Sequence, residues 1–254
     1  MKLTDIESAP IPFTRKSRYI LVVEGNNSEL FYTAMLLHRF AYPVCTARTA
    51  AQALDMVSVA IPALILADAV LPGKSGAELM GMLSSTPRTR AVPIILLMPP
   101  DDTGPRKRDF GGQSAVCIAK PAPLEELYRA VQEVMESNPR LNIRIQTALP
   151  VTVNNVAFNS AKGEAATHLS TQGMYIRTVK PFDNNEPITV QLEVEERTIT
   201  ADARVLYSRK SDSMLVTEPG IAIKFTKMRG EDRQVLTEFI HKELTRGIVV
   251  EGTS

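Results

Sequence analysis

Cysteine and histidine, the residues that form disulfides and most often bind zinc, are scarce in this sequence. Only Cys45 and Cys117 are present among 254 residues, and they show no CxxC spacing. Two isolated cysteines argue against a disulfide framework or a zinc site and are typical of a reducing compartment. The three histidines, His38, His168 and His241, have neither HxxxH spacing nor the spacing to acids that predicts a metal enzyme. The sequence therefore predicts no metal centre of these kinds.

The sequence also lacks an excess of charge of either sign. Its formal net charge is +1; residues 1–137 hold 14 basic and 14 acidic side chains, and residues 138–254 hold 15 and 14. A protein that binds nucleic acid through its bulk charge would be strongly basic, so we predict no nucleic-acid partner. A small anionic ligand needs only a local cluster of cations and stays open.

Long hydrophobic runs are missing as well. No segment approaches the ~20 apolar residues that cross a bilayer. The first residues, "MKLTDIESAPIPFTRKSRY", lack the apolar centre of a signal peptide. No Ser-His-Asp or Cys-His arrangement is indicated, and Asp68 is the only credible nucleophile in the sequence. We therefore expect a cytoplasmic protein that does not insert into membranes and is not an enzyme.

Residues 18–136 alternate between apolar strands and amphipathic helices. Strands are predicted at "RYILVV", "PVCTA", "PALILAD", "VPIILLMP" and "AVCIAK". Apolar strands that alternate with helices predict an α/β, doubly wound, parallel five-stranded sheet of the flavodoxin-like type. Ligand chemistry in such a sheet belongs at the carboxyl ends of the strands, here beside Glu24, Asp68, Met98 and Lys120.

The pattern changes from helical to β at residues 137–140, "SNPR". The following segments "ALPVTVNNVAFNS", "GMYIRTV", "PITVQLEVEERTITADARVLY" and "GIAIKFT" read as strands, with hairpin tips predicted at Asn154-Asn155 and Glu195-Glu196. An amphipathic helix closes the pattern, and its apolar stripe consists of Val235, Leu236, Phe239, Ile240 and Leu244. We predict a small antiparallel six-stranded β-barrel with a C-terminal helix.

These patterns predict four segments along the chain. They are an N-terminal arm at 1–17, the α/β domain at 18–136, a linker at 137–145 and the β-barrel domain at 146–250. One stretch inside the α/β domain, residues 99–113, is rich in proline and glycine and predicts a short broken helix or a loop.

Two short motifs stand at strand ends in the first domain. One is "ADAVLPGKSG", which contains Asp68, Pro72 and Gly76, and the other is Lys120-Pro121. In residue type and spacing they resemble the receiver domain of bacterial two-component response regulators. The resemblance implies that Asp68 is the phosphoacceptor and that Lys120 pairs with the resulting phosphate.

Other positions depart from the receiver pattern. Receivers carry two acids after the first strand to hold Mg²⁺, but this chain has Glu24 and Gly25, so one carboxylate is missing. The Thr or Ser that senses the phosphoryl group is replaced by Met98, which has no hydroxyl. Either phosphorylation of Asp68 regulates the second domain, or this is a degenerate receiver kept for folding, dimerisation or docking. We favour the second interpretation, with an acidic pocket at Glu24, a weak Mg²⁺ site at best and no Mg²⁺ cofactor.

A second set of motifs opens the β-rich half. Arg140 and Arg144 stand four residues apart, and the turn "HLSTQG" follows with His168, Ser170 and Gly173. With the "GIAIKF" strand and the last helix, these motifs resemble the PilZ domain, the bacterial module that binds cyclic dimeric GMP. The family turn begins with Asp or Asn, where this chain has His168.

The PilZ resemblance implies recognition of a cyclic dinucleotide without catalysis. A guanidinium fork matches both phosphate oxygens and the O6/N7 edge of guanine, so Arg140 and Arg144 would wrap the ligand. His168, Ser170 and Gly173 would complete the cyclic dimeric GMP site. Two alternatives remain at this stage: paired arginines are often solvated or paired with acids, and a Ser-Gly pair is often only a tight turn.

Together the motifs indicate a bacterial signalling adaptor. In this hypothesis cyclic dimeric GMP binding changes the domain arrangement and the contacts with a protein partner that the sequence does not identify. The first alternative is a response regulator controlled by phosphorylation of Asp68, and the second is an interaction scaffold that binds neither ligand. The receiver-like domain could also support a homodimer, by analogy with its family.

Overall fold

The chain folds into two compact units, each held together by contacts among its own residues. The computed structural model describes residues 18–110, 114–158, 160–180, 182–210 and 218–248. One unit contains the described residues up to Pro139, and the other runs from Arg140 to Gly247. The predicted arm at 1–17 and the last two residues of the predicted barrel domain lie outside the described residues. Of the helices in the described ranges, none combines the length and the apolar character needed to cross a bilayer.

The first unit alternates strands and helices along the chain. Its strands are β1 (Ile20–Val23), β2 (Val44–Ala47), β3 (Leu64–Asp68), β4 (Ile94–Met98), β5 (Lys107–Asp109) and β6 (Ser114–Ala119). Its helices are α1 (Asn27–Arg39), α2 (Ala50–Val59), α3 (Gly76–Ser84) and α4 (Leu124–Met135). The strand order is β2-β1-β3-β4-β6-β5, and all neighbours are parallel except β5 and β6. The predicted α/β doubly wound fold with five parallel strands is therefore confirmed.

A sixth strand, β5, corrects the prediction of a broken helix or a loop in this region. It pairs antiparallel with β6 at the edge of the sheet, from Lys107 opposite Val116 to Asp109 opposite Ser114. Three charged residues are too few to show a two-residue periodicity, which explains why the sequence pattern did not reveal the strand. Charged side chains are common on edge strands because they discourage pairing with another chain.

Three of the four helices described in this unit, α1, α2 and α3, begin at a side-chain cap, whereas α4 follows Pro123 without one. The Asn26 side chain accepts hydrogen bonds from the N–H groups of Ser28 and Glu29 at the start of α1. Thr49 caps α2 by accepting from the Gln52 N–H at 3.1 Å. These caps satisfy donors that have no partner within the helix, and so they determine where each first turn begins. The first turn of α1 matters most here, because it stands next to the carboxyl end of β1.

The second unit is an antiparallel sheet with one packing helix. Its strands are β7 (Ile145–Leu149), β8 (Val151–Val153), β9 (Val156–Ala157), β10 (Ala165–Ser170), β11 (Gly173–Arg177), β12 (Pro187–Val194), β13 (Arg197–Arg209) and β14 (Gly220–Met228). Its helix is α5 (Gly230–Thr245). The strand order is β7-β10-β11-β14-β13-β12-β8-β9, a curled sheet that confirms the predicted barrel-like class with a C-terminal helix.

The sheet has eight strands where six were predicted. Pro150 interrupts the first predicted strand, so that β7 ends at Leu149 and β8 begins at Val151. These two segments pair with different neighbours, β10 and β12. The strand β10 has no strong β pattern in the sequence, because its first residues are alanines and its last form a turn. Tertiary burial of Ala165 and Ala166, both below 5% exposed, stabilises it instead.

Both predicted hairpins are present in the second unit. Asn154 and Asn155 have φ values of 49° and 63°, and Val153 pairs with Val156 across that turn. Glu195 has a φ of 53° where β12 turns into β13. Positive φ at the centre of a two-residue loop matches the right-handed twist of the flanking strands, and Asn tolerates it well.

The helix α5 buries a narrower stripe than its sequence suggests. Leu236, Ile240 and Leu244 are at most 2% exposed, whereas Val235 and Phe239 are half-buried. Spacing by four residues places the three leucine and isoleucine side chains on one line along the helix. This line is the contact through which α5 covers the sheet.

Replacing Leu236 by alanine should test this contact. The side chain is fully buried, so Leu236→Ala should lower the free energy of unfolding of the second unit by about 2–5 kcal/mol, through lost burial and the cavity left behind. Chemical denaturation of the whole chain measures the effect. The matched control is Leu206→Ala, because Leu206 is 51% exposed and should change stability by less than about 0.5 kcal/mol. Equal effects of the two substitutions would contradict the packing described for α5.

Candidate functional site

The carboxyl ends of three parallel strands bring together residues that the sequence singled out. Glu24 directly follows β1, Asp68 ends β3 and Lys120 directly follows β6. The Lys120 Nζ lies 2.7 Å from Asp68 Oδ2 and 3.6 Å from Glu24 Oε2. Met98 is the half-buried last residue of β4, the strand that lies between β3 and β6 in the sheet. The structure therefore places the predicted acidic residues and the predicted lysine in one cluster.

Glu29 is a member of this cluster that the sequence reasoning missed. It lies in the first turn of α1, and its Oε2 is 2.8 Å from the Lys120 Nζ. Carboxylate oxygens of Glu24, Glu29 and Asp68 all lie within 4.8 Å of one another. The available signal was an acid in the first turn of a helix that begins directly after a strand, since that turn stands above the carboxyl end of the sheet.

Two of the three carboxylates are buried, and their hydrogen bonding is uneven. Glu24 is 2% exposed and Asp68 is 4% exposed. Glu24 Oε1 accepts from the Asn26 N–H at 2.9 Å, and Asp68 Oδ1 accepts from the Val70 N–H at 3.1 Å. Glu24 Oε2, however, has no hydrogen-bond partner among the described residues, although Lys120 is within ion-pair distance. Buried polar atoms are normally satisfied, so this oxygen stands out.

The burial and the crowding of charge change the protonation of two groups. Burial is the main cause that raises the pKa of the Glu24 carboxyl to about 7, and the nearby Asp68 acts in the same direction against the Asn26 N–H and Lys120. Burial alone would lower the pKa of the Lys120 amine. Its hydrogen bonds to Asp68 and Glu29, together with the charge of Glu24, outweigh burial and raise that pKa. The cluster therefore sets one permanent cation against three carboxyl groups.

The donor set of this cluster fits a hard divalent cation such as the Mg²⁺ that the receiver resemblance implies. Three carboxylates converge, and oxygen ligands of this kind are those that Mg²⁺ and Ca²⁺ prefer. The sequence predicted only a weak site because Gly25 carries no carboxylate. Glu24, Glu29 and Asp68 would hold the ion, which when bound would neutralise negative charge around Asp68.

In the second unit, strand register brings the two arginines towards the predicted turn. β7 begins one residue after Arg144, and β7 pairs with β10 so that Gln146 faces His168. Burial lowers the pKa of His168, and the positive charges of Arg144 and Arg140 lower it further, against the opposing effect of Glu218. His168 is therefore neutral around neutral pH. A neutral imidazole keeps one nitrogen as a hydrogen-bond acceptor.

Ser170 and Gly173 have contacts that shape the turn itself. The Ser170 hydroxyl donates to the Gly173 carbonyl at 3.0 Å and accepts from the Gln172 N–H at 3.4 Å. A Cβ at Gly173 would lie 2.1 Å from the Ile223 carbonyl oxygen on the neighbouring strand. These contacts favour the interpretation, left open by the sequence, that Ser170 and Gly173 form a tight turn. His168 is the member of the motif that points to solvent.

An aromatic and cationic surface continues from His168 across the sheet. The rings of His168 and Tyr175 meet edge to face, with centroids 6.3 Å apart. The Arg209 guanidinium lies 6.0 Å from the Tyr175 centroid and 5.2 Å from the Tyr207 centroid. We call His168, Tyr175, Tyr207 and Arg209 the aromatic face. The sequence reasoning missed the last three, and the only signal was that each occupies an outward position of its strand.

Tyr175 is fixed within the aromatic face by its own contacts. Its hydroxyl donates to the Glu218 carbonyl at 2.6 Å. A Cβ at Gly220 would lie 2.9 Å from two ring atoms of Tyr175, so the ring rests directly on this glycine. A planar, anchored ring beside an arginine offers a surface on which a nucleobase can stack.

Comparison with known families covers most of the chain. Residues 20–132 match the family model described as response regulator receiver domain, and residues 137–242 match the one described as PilZ domain. The two matches follow each other in the order that the motifs predicted.

Individual relatives resemble part of the chain. The probable methanogenesis regulatory protein FilR2 of Methanothrix harundinacea is 26% identical over 140 residues, which cover 52% of this chain and 87% of that protein. The response regulator PleD of Caulobacter vibrioides is 28% identical over 118 residues, or 46% of this chain and 26% of PleD. The histidine kinase P4 of Formosa agariphila is 22% identical over 145 residues, or 57% of this chain and 10% of the kinase. The chain thus spans a minor part of PleD and of the kinase.

Solved structures resemble the chain over similar lengths. The chemotaxis response regulator CheY4 of Vibrio cholerae is 25% identical with a TM-score of 0.42, and the match covers 46% of this chain and 98% of CheY4. The Bacillus subtilis inhibitor of motility MotI/DgrA is 17% identical with a TM-score of 0.37, and the match covers 45% of this chain and 56% of that protein.

The raised pKa of Glu24 predicts a pH dependence of stability. The carboxyl holds its proton more tightly in the folded chain, with a pKa of about 7 instead of 4.5. Its stabilising contribution is therefore complete below pH 4.5 and is lost as the pH rises through about 7. Glu24→Gln should flatten the fall in the free energy of unfolding over this range. Urea denaturation with a chelator present measures both proteins, and equal slopes would contradict the assignment of this pH dependence to Glu24.

The close approach at Gly173 predicts a structural defect on substitution. Gly173→Ala would force the Ile223 carbonyl away and should lower the free energy of unfolding of the second unit by about 1–3 kcal/mol. The control is Gly230→Ala, because nothing lies within 4 Å of a Cβ at Gly230. Thermal or chemical unfolding without ligand measures both variants. Unchanged stability of Gly173→Ala would mean that this glycine is needed for something other than strand packing.

Proposed function

Because the chain consists of a response regulator receiver domain followed by a PilZ domain, we propose that it is a signalling adaptor whose PilZ domain binds cyclic dimeric GMP. One observation carries this proposal. The pairing of β7 with β10 sets Ile145, the neighbour of Arg144, opposite Leu169, the neighbour of His168. This register supports one shared site for two motifs that are separated in sequence.

Each residue of the site has a role in this proposal. The guanidinium forks of Arg140 and Arg144 bind phosphate oxygens and the O6/N7 edges of guanine. His168 takes the place of the family's Asp or Asn, and as a neutral ring it accepts one hydrogen bond from the ligand. Ser170 and Gly173 hold the turn that presents His168. Burial is the main cause that lowers the pKa of His168, and the charges of Arg144 and Arg140 act in the same direction, which supports its role as an acceptor.

The aromatic face supports a ligand that contains nucleobases. Tyr175 on β11 contacts His168 on β10, and Arg209 on β13 contacts Tyr175 and Tyr207. The strand β14 lies between β11 and β13 in the sheet. Stacking on aromatic rings and arginine planes contributes about 1–3 kcal/mol per base. A simple phosphate would make no use of this surface, whereas guanine rings would.

Ligand binding would be transmitted through the segment that carries the arginines. Arg140 is the first residue of the second unit, and Arg144 directly precedes β7. A ligand that binds both side chains fixes the course of residues 137–145 and so changes the arrangement of the two domains and their contacts with a protein partner. The proposed output is therefore a change in protein contacts.

A second function, phosphorylation of Asp68, is favoured by one specific observation. The Lys120 Nζ is 2.7 Å from Asp68 Oδ2, where it could pair with a phosphoryl group, and Glu29 adds a third carboxylate to the cluster. Met98 still lacks the hydroxyl that follows the phosphate. Phosphate-analogue binding that needs both Asp68 and a divalent cation would support this function.

Calorimetric titration with cyclic dimeric GMP tests the leading proposal. The wild-type chain should bind saturably, and Arg140→Ala and Arg144→Ala should each weaken binding by about 10- to 100-fold, because each removes charge-assisted hydrogen bonds. His168→Asn should keep binding, since it retains an acceptor, whereas His168→Ala removes the acceptor and should weaken binding. The control is Arg197→Ala, at the far end of β13 from the aromatic face.

The outcomes separate the remaining alternatives. Absence of saturable heat with a folded wild-type chain would reject the ligand, and together with absence of phosphate-analogue binding it would leave an interaction scaffold. Binding that survives both arginine substitutions would reject the proposed site while keeping the ligand.

A further inference from the structure

We propose that Lys224 and Arg204 form a phosphate-binding subsite on the sheet surface beside the turn at 170–173. The subsite rests on the proposed function and deepens it, because it would hold one phosphate of the cyclic dinucleotide. Neither residue belongs to the motifs that the sequence singled out. Strand register, the pairing of two like charges and the neighbouring aromatic rings support this subsite.

A row of directly paired residues connects the turn to the two cations. Ser170 on β10 pairs with Gly173 on β11, and Gly173 pairs in turn with Lys224 on β14. Lys224 then pairs with Arg204 on β13. Residues directly opposite each other in a sheet present their side chains on the same face, with Cβ atoms about 4.5–5.5 Å apart. Both cations are exposed, so they stand side by side on the outer surface.

The pairing of Lys224 with Arg204 is unfavourable in the absence of a ligand. Like charges directly opposite each other destabilise a sheet, whereas opposite charges stabilise it. The same two strands carry the favourable arrangement further along, where Asp202 stands opposite Lys227. The like-charge pair is therefore a local exception in this ladder, and a bound anion would remove its repulsion.

The side chains of the described residues do not neutralise this pair. Within that part of the chain the Lys224 amine has no hydrogen bond or ion pair, and the Arg204 guanidinium donates only to the Asn185 carbonyl, at 2.8 Å. The flanking positions of the row are Gly173 and Pro187, and neither carries a charge. A phosphate offers several charged acceptors, which an ammonium and a guanidinium fork would bind together.

The adjacent row on the same face carries aromatic rings. It consists of Tyr175, Ala222 and Tyr207, which pair with one another across β11, β14 and β13. This row is two residues from Lys224 along β14, a separation of about 7 Å at about 3.3 Å per residue. A nucleotide that lies across both rows would stack its base on a ring and place its phosphate at the cations.

Cations thus lie on both sides of the turn. Arg144 directly precedes β7, whereas Lys224 and Arg204 belong to β14 and β13. In the order β7-β10-β11-β14-β13 the two strands joined by the turn stand between these groups. A cyclic dinucleotide has two phosphates, and each group of cations would meet one of them. A mononucleotide would use only one group, so the subsite favours the dinucleotide.

Calorimetric titration of the whole chain with cyclic dimeric GMP tests the subsite. Lys224→Gln and Arg204→Gln should each weaken binding by about 5- to 20-fold, because each removes a charge-assisted hydrogen bond at an exposed position. The matched control is Lys227→Gln, since Lys227 is an exposed cation of the same strand that stands opposite Asp202. This control should bind the ligand like the wild type.

Thermal melting without ligand separates a binding role from damage to the fold. Lys224→Gln relieves the repulsion with Arg204 and should raise the melting temperature of the ligand-free chain while it weakens ligand binding. Lys227→Gln removes a favourable pairing with Asp202 and should not raise it. A lower melting temperature of Lys224→Gln would contradict the repulsion on which the subsite is based.

Pyrophosphate probes the pair without the rest of the dinucleotide. Millimolar pyrophosphate should raise the melting temperature of the wild type, because a ligand that binds only the folded state stabilises it. The rise should be smaller for Lys224→Gln and unchanged for Lys227→Gln. This measurement applies whether or not the chain binds cyclic dimeric GMP.

The outcomes for the subsite and for the proposed function are distinguishable. If the wild type binds cyclic dimeric GMP and both Lys224→Gln and Arg204→Gln bind it equally well, the subsite is wrong and the proposed function stands. If the wild type does not bind the dinucleotide, the proposed function fails and the pyrophosphate measurement decides on the pair. An equal rise in wild type and Lys224→Gln then overturns the subsite, and a smaller rise in the variant supports it as an anion site.

Discussion

The Lys120 ammonium is the contact on which the candidate site of the receiver domain depends. It lies within 2.7–3.6 Å of three carboxylates that come from β1, α1 and β3. Two of these acids are buried, and a buried charge without a partner costs several kcal/mol. The carboxyl ends of the parallel strands all lie at one edge of the sheet, which brings the acids close together. The positive charge of Lys120 offsets the repulsion between them. Its ion pairs with Glu24 and Glu29 also join the end of β6 to the segment after β1, which is distant in sequence.

In the PilZ domain, too, the surroundings of one side chain change its pKa. The pKa of His168 is lowered there, whereas that of Lys120 in the receiver domain is raised. Burial lowers the pKa of His168, and the charges of Arg144 and Arg140 lower it further. The hydrogen bonds of Lys120 to Asp68 and Glu29 outweigh burial and raise the pKa of its amine. The imidazole is thus favoured in its neutral form and the amine in its charged form.

The chain joins a receiver domain to a PilZ domain. In the proposed scheme the cyclic dinucleotide acts on the segment that joins the domains, and the acidic cluster acts within the first domain. Glu29 matters for this scheme because it weakens the argument that the receiver is degenerate. Position 25 carries no carboxylate, and a Cβ there would meet the Pro72 ring, but Glu29 of α1 joins Glu24 and Asp68 in one cluster.

The sequence by itself determined the features that depend on short-range pattern. Apolar runs located the parallel strands and the paired asparagines marked a hairpin, because each of these is a local property of a few consecutive residues. The residues at strand ends, Asp68 and Lys120, were also predictable, since parallel strands all end at one edge of a sheet.

Only the tertiary structure decided which side chains meet. It brought Glu29 to Lys120, and it assembled Tyr175, Tyr207 and Arg209 around His168. It also turned the Ser170 hydroxyl into the turn and set the Pro72 ring against Gly25. Each of these contacts joins residues from different elements, and their positions depend on strand register and loop course. Strand register and loop course cannot be read from hydrophobic periodicity. A shift of one residue in the pairing of a strand would move every side chain to the other face.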